Sequence, residues 1–192
     1  MPDRFKRVGY DYNGHTIKAL IDIRDNPELL PESVTEQEYK DMKGNPPESI
    51  TSWVRFVCSF GGKFEAGYAR ETGSDATTFS GRGVRNALKQ SPNLQGVEFI
   101  HSCYSDVDCK DSLIYIDPPY KSSTGYATGG FDHDALFDWC RKMKEKGNVI
   151  FLSEYEAPDD FECVWQGEIK TNFASNRKKA THSAVERLFI LK

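Results

Sequence analysis

Apolar residues gather in short runs bounded by turn formers. The runs predict strands at Arg7–Tyr12, Val97–Tyr104, Ser112–Asp117 and Asn148–Tyr155, and a terminal hairpin from Glu162–Phe173 and Arg187–Leu191. Between them apolar positions recur at helical spacing over Gly14–Asp25, Thr35–Lys43, about Ile50–Phe60 and Arg82–Lys89. In the second of these, Thr35 and Glu38 have the spacing of a capping box. The clearest helix is Asp132–Lys146. Asp132 is a good N-cap, acids fill the first turn, Arg141, Lys142, Lys144 and Lys146 fill the last, and Gly147 suits the left-handed cap position. Its apolar residues Leu136, Trp139, Cys140 and Met143 share one face. The alternation predicts an α/β fold: an open, mostly parallel sheet closed by an antiparallel hairpin. Two stretches rich in Gly, Ser and Thr, 61–83 and 121–130, break the rhythm, and loops of that length in a compact domain are usually functional.

Composition narrows the class. A chain of 192 residues fits one domain that buries roughly 70% of its unfolded surface, and 12% aromatic residues set it apart from disordered sequences. No run is apolar enough for a membrane span, and the start, Met1-Pro2-Asp3-Arg4, lacks the apolar core of a signal peptide. Five scattered cysteines are expected to be reduced thiols rather than a disulfide framework. A net charge of -4 argues against bulk polyanion binding, so any nucleic-acid surface has to be local. Basic residues do cluster: Lys63, Arg70, Arg82, Arg85 and Lys89 in one region, and Lys170, Arg177, Lys178, Lys179, Arg187 and Lys192 in another.

The chemistry-bearing signal is the run Ser112-Leu-Ile-Tyr-Ile-Asp117-Pro118-Pro119-Tyr120, a buried-type strand ending in DPPY. A given tetrapeptide arises by chance in roughly one chain in a thousand of this length. Asp-Pro-Pro is also a plain strand terminator, because proline removes a donor and restricts the residue before it. In an α/β sheet, however, the carboxyl end of a strand is where ligands bind. An exocyclic amine on a nucleobase is a weak nucleophile, since its lone pair is delocalised into the ring. Two acceptors for its hydrogens turn the nitrogen towards a methyl electrophile, and the Asp117 carboxylate and Pro118 carbonyl are such a pair. The two prolines fix the carbonyl's direction, and Tyr120 offers a face on which an extruded base can stack.

On these residues the sequence resembles the Dam-type DNA adenine-N6 methyltransferases, especially the phage-encoded ones. The likeness extends along most of the chain, through GYDYN, WVRFVCSFGGKFEAGYAR, LKQSPNLQGVEFIHSCY, LIYIDPPY, FDHDALFDWC, VIFLSEYEAPDDF and AVERLFI. It implies a Rossmann-like, S-adenosylmethionine-dependent fold spanning 1–192 as a single domain, with a target-recognition-like insertion at about 61–83. Asp117, Pro118, Pro119 and Tyr120 become the catalytic motif. Asp11 matches the acid that holds the cofactor's ribose, which also suits an acid at the tip of a Rossmann strand. Lys63, Tyr68, Arg70, Arg82, Arg177, Lys178 and Lys179 become candidates for contact with double-stranded DNA. A bacterial cytoplasm, with phage or prophage coding and a place in DNA methylation or restriction-modification, is the implied setting.

Two departures accompany the resemblance. The family's first strand and glycine-rich cofactor loop have no counterpart, because only ten residues precede Asp11 and such a unit needs about 25. The expectation is therefore an N-terminally shortened fold whose cofactor loop comes from a second polypeptide or another copy of the chain. Where relatives carry an Asp-aromatic pair against the cofactor's adenine, this chain has Cys103 and Tyr104, with Asp117 the other cofactor-facing residue. Two further readings stay open: a catalytically impaired homologue acting as a DNA- or protein-binding module, and a methyltransferase acting on cytosine N4 or RNA. His101, Cys103 and Cys109 match no zinc spacing, so no metal is expected, and Ser59, Ser153 and His182 form no hydrolase signature.

Overall fold

The computed structural model describes residues 5–47, 49–70, 78–120, 130–171 and 182–192. They are mixed α and β and fall into two compact units, Met1–Asp106 and Val107–Lys192.

In the first unit, β1 (Arg7–Asp11) pairs in parallel with β2 (Val97–His101), which sets Asp11 opposite His101. Among the described residues, four α-helices lie between them in sequence: α1 (Gly14–Asp25), α2 (Glu36–Asp41), α3 (Ser49–Val57) and α4 (Phe79–Leu94). The Thr35/Glu38 capping box is present, with the Glu38 N–H 3.2 Å from Thr35 Oγ1 and the Thr35 N–H 2.6 Å from Glu38 Oε2. The core gathers Ala19, Leu30, Val34, Tyr39, Trp53, Val54, Cys58, Val84 and Ala87. α4 is longer than the expected Arg82–Lys89. Thr78 caps it by accepting from Gly81 N–H at 2.9 Å, so Phe79–Gly83, expected within an irregular stretch, is helical. A Cβ on Gly83 would lie 2.6 Å from Val57 Cγ1 and 2.9 Å from Trp53 Cζ2, so glycine here is what lets α3 and α4 pack closely.

In the second unit, β3 (Leu113–Ile116) runs parallel to β4 (Val149–Glu154), with α5 (His133–Glu145) between them in sequence. β5 (Phe161–Thr171) and β6 (His182–Leu191) form the terminal hairpin. β6 inserts antiparallel beside β4, giving the order β3-β4-β6-β5. The expected single, mostly parallel sheet is corrected. Among the described residues the strands form two sheets, and two of the three pairings in the larger one are antiparallel, because the hairpin brings its second strand, β6, back against β4. α5 packs Leu136, Phe137, Trp139, Cys140 and Met143 into the buried core of this unit, together with Ile150, Leu152, Phe161, Phe189 and Leu191. At about 1.5–3 kcal/mol per large apolar side chain removed from water, this face is what holds the helix to the sheet. Buried Asn148 fixes the start of the motif strand: its Nδ2 donates to the Met143 and Cys109 carbonyls at 2.8 and 2.9 Å, and its Oδ1 accepts from Ser112 N–H at 3.0 Å. The lysines closing α5 and the left-handed Gly147 behave as expected.

No helix among the described residues is long and apolar enough to cross a membrane.

Candidate active site

β3 ends at Ile116, and Asp117-Pro118-Pro119-Tyr120 follows as irregular backbone at the strand's carboxyl end. Asp117 is exposed, Pro118 buried, and Pro119 and Tyr120 half-buried. The Tyr120 hydroxyl donates to the Asp117 carboxylate and is also bonded to the Ser153 side chain. Ser153 in turn meets the Tyr115 hydroxyl at 2.9 Å. Burial, then the negative charges of Asp117 and Glu186, push the Tyr120 phenol well above its ordinary value, so it stays a donor. The ring of Tyr120 meets that of Tyr155 edge to face, with centroids 4.7 Å apart.

Two residues beside the motif carried no signal in the sequence. His133 opens α5, and its Nε2 lies 2.9 Å from the Pro119 carbonyl oxygen and 3.4 Å from Glu154 Oε2. A carbonyl only accepts, so Nε2 carries the proton. Glu154, the last residue of β4, is 1% exposed, and its Oε1 accepts from Tyr155 N–H at 2.7 Å. A Glu in SEYE reads as a solvated strand end. Only the pairing of β4 between β3 and β6 makes it interior.

Asp11 closes β1 in the first unit, half-buried. Its Oδ1 accepts from Asn13 N–H at 2.6 Å, and Asn13 is the N-cap of α1. Burial pushes the Asp11 carboxyl above its ordinary value, against the downward pull of the Asn13 N–H, the Thr16 side chain and His101. Cys103 and Tyr104 follow the neighbouring strand: β2 stops at His101, short of the expected Tyr104. Ser102 N–H bonds back to Asp11 O at 3.1 Å, and a 3-10 turn runs from Tyr104 to Asp106. Asp11, Cys103 and Tyr104 therefore lie at the carboxyl ends of adjacent parallel strands. A carboxylate offers about four lone-pair directions, of which neighbouring groups use two, so this donor and acceptor set fits a ribose diol.

Four of the candidates for DNA contact, Lys63, Tyr68, Arg70 and Arg82, lie in the first unit. Lys63 is exposed beyond the 3-10 turn Phe60–Gly62, and Arg82 is exposed with its guanidinium 4.5 Å over the Phe79 ring. Arg70 makes a fork to Glu36 at 2.9 and 2.7 Å. The Tyr68 hydroxyl is spent internally on the Val34 carbonyl at 2.7 Å. The segment around Lys63 and Tyr68 is anchored by Arg55, 2% exposed, which pairs with Glu65 and lies 4.6 Å from the Phe64 ring. Arg177, Lys178 and Lys179 lie outside the described residues. Among the described residues no group of three or more His, Cys, Asp and Glu side chains is placed to hold a metal ion.

Comparison with models of known protein families and with curated proteins finds no match to this chain.

Proposed function

We propose that the chain is a DNA adenine-N6 methyltransferase, or the part of one that carries the catalytic motif, acting on a flipped adenine in double-stranded DNA. The observation that supports this most is Asp117-Pro118-Pro119-Tyr120 at the carboxyl end of a parallel strand, with its carboxylate exposed and its tyrosine bonded to that carboxylate. A Rossmann-like fold agrees with the two parallel pairs, β1–β2 and β3–β4. In a doubly wound sheet strands 2 and 3 are neighbours, strands 4 and 5 are neighbours, and ligands bind at carboxyl ends.

In this reading the adenine's exocyclic amine donates one hydrogen to the Asp117 carboxylate and the other to the Pro118 carbonyl. The Pro119 carbonyl is already taken by His133, which leaves Pro118 as the backbone acceptor. With both hydrogens held, the nitrogen lone pair turns out of conjugation towards the methyl donor. Tyr120 supplies ring surface for the base, and its phenol, kept protonated, orients Asp117. S-adenosylmethionine would supply the electrophilic methyl group, and Asp11, Cys103 and Tyr104 are the residues that would hold its ribose and adenine. The amine's surplus proton leaves towards the Asp117 carboxylate. Lys63 and Arg82 would meet phosphate in this reading. Arg70 would first exchange Glu36 for it.

Calorimetric titration with S-adenosylmethionine tests the reading. Heat from the wild-type chain that disappears in Asp11→Ala supports it. Salt-sensitive duplex binding with no cofactor heat would make the chain a DNA-binding module instead.

A further inference from the structure

We infer that His133 and Glu154 are positioning residues for the Asp117–Tyr120 motif, a buried clamp that holds both of the aromatic rings beside it. The inference rests on the methyltransferase reading for its kinetic consequence, and on geometry alone for the clamp itself.

Glu154 has two oxygens in different surroundings. Oε1 accepts from Tyr155 N–H at 2.7 Å, which fixes where the Tyr155 ring leaves the chain. Oε2 accepts no hydrogen bond of ordinary length, and the His133 Nε2–H sits 3.4 Å away. That same N–H donates to the Pro119 carbonyl at 2.9 Å, which fixes the Pro119–Tyr120 peptide plane and with it the direction of the Tyr120 side chain. The two rings so fixed meet edge to face at 4.7 Å. A carboxylate buried to 1% exposure with an under-bonded oxygen is costly, and it is retained here against the one N–H that also grips the motif. His133 is well placed for this because Asp132 caps α5, accepting from Ala135 N–H at 2.9 Å, so the imidazole leaves from the fixed first residue of the helix. Phe131 lies against the imidazole, with ring centroids 5.0 Å apart.

The clamp has a chemical sense as well as a mechanical one. With the Pro119 carbonyl turned to His133, an amine in the site meets the Pro118 carbonyl alone, so its two hydrogens have one arrangement rather than two. Loss of the clamp loosens the acceptor geometry. A misplacement of about 1 Å costs on the order of 100-fold in turnover.

The test uses the whole chain, S-adenosylmethionine and unmethylated duplex DNA, with folding checked by circular dichroism. His133→Leu is expected to lower kcat about 100-fold with KM within about twofold. His133→Gln keeps an N–H within reach of Pro119 and is expected to recover most of the loss. Glu154→Gln turns an amide donor onto the imidazole N–H and breaks the same bond, so the double variant should be no worse than either single one. Additive losses, failure of His133→Gln to recover, or a rise in KM at constant kcat overturns the inference. An independent readout is the 15N-labelled imidazole of His133. A slowly exchanging Nε2–H in the wild type that is lost in Glu154→Gln supports the clamp, and its absence in the wild type overturns it whatever the enzymology. A wild type without methyl transfer that still shows this resonance sinks the functional reading and keeps the clamp.

Discussion

The Tyr120 hydroxyl donates to the Asp117 carboxylate, and burial with nearby negative charge raises its pKa. Two residues three apart in sequence thus act as one unit: the phenol keeps its proton and the carboxylate keeps its orientation. Tyr120 should not ionise until well above the pH at which free tyrosine does, as read by phenolate absorbance. The sign for stability follows from a folded-state pKa above the unfolded one. Its contribution is fully present below about pH 10 and is lost as pH rises further, because the unfolded chain releases the proton first. Tyr120→Phe should remove this alkaline sensitivity and lower turnover about tenfold, since the variant keeps the ring and loses only the bond to Asp117.

Asp11 carries the opposite trade. Burial raises its carboxyl pKa, so the charged form is disfavoured by folding and Asp11 subtracts stability at neutral pH, a penalty relieved as pH falls through the raised value. Asp11→Asn keeps an acceptor for Asn13 N–H and drops the charge. Its melting temperature at pH 7 should equal or exceed that of the wild type, with the gap closing at acid pH. Its heat of S-adenosylmethionine binding should vanish. A melting temperature several degrees lower would show Asp11 to be a structural cap.

Asn148 tests how the motif strand is held. Its side chain satisfies the Ser112 N–H and the Met143 and Cys109 carbonyls at once, tying the end of α5 to the start of β3. Asn148→Ala takes this partner from the part-buried Ser112 N–H and Cys109 carbonyl, while the Met143 carbonyl keeps the Lys146 N–H at 3.1 Å. It should cost about 2–3 kcal/mol in urea unfolding with an unchanged slope.

What was legible in the sequence was local. α1 and α5 stand where the periodicity of their apolar residues predicts them, α5 also from the capping at Asp132, and the Thr35/Glu38 box forms as spaced. The strand before Asp117 was legible because an apolar run stops at two prolines. Pairing was not, because nothing in the residues of β6 says that it inserts beside β4 rather than beyond β5. That pairing is what buries Glu154, so an acid that reads as surface becomes interior. His133 was hidden for a related reason. Next to the N-cap Asp132 it reads as one more polar residue in a helix's first turn, and its bond to Pro119 spans fourteen positions. The length of α4 was missed because Gly81 and Gly83 read as loop, whereas Gly83 serves the close approach of α3. Tyr68 and Arg70 read as free contacts for DNA, and both are bonded to the region around α2 through Val34 and Glu36.

The most direct measurement of the central claim is nucleoside mass spectrometry on DNA from a methylation-deficient bacterial host expressing the chain. The wild type is expected to yield N6-methyldeoxyadenosine, and Asp117→Ala produced at equal level none. Equal amounts from both, or N4-methyldeoxycytidine as the only modified base, would contradict it.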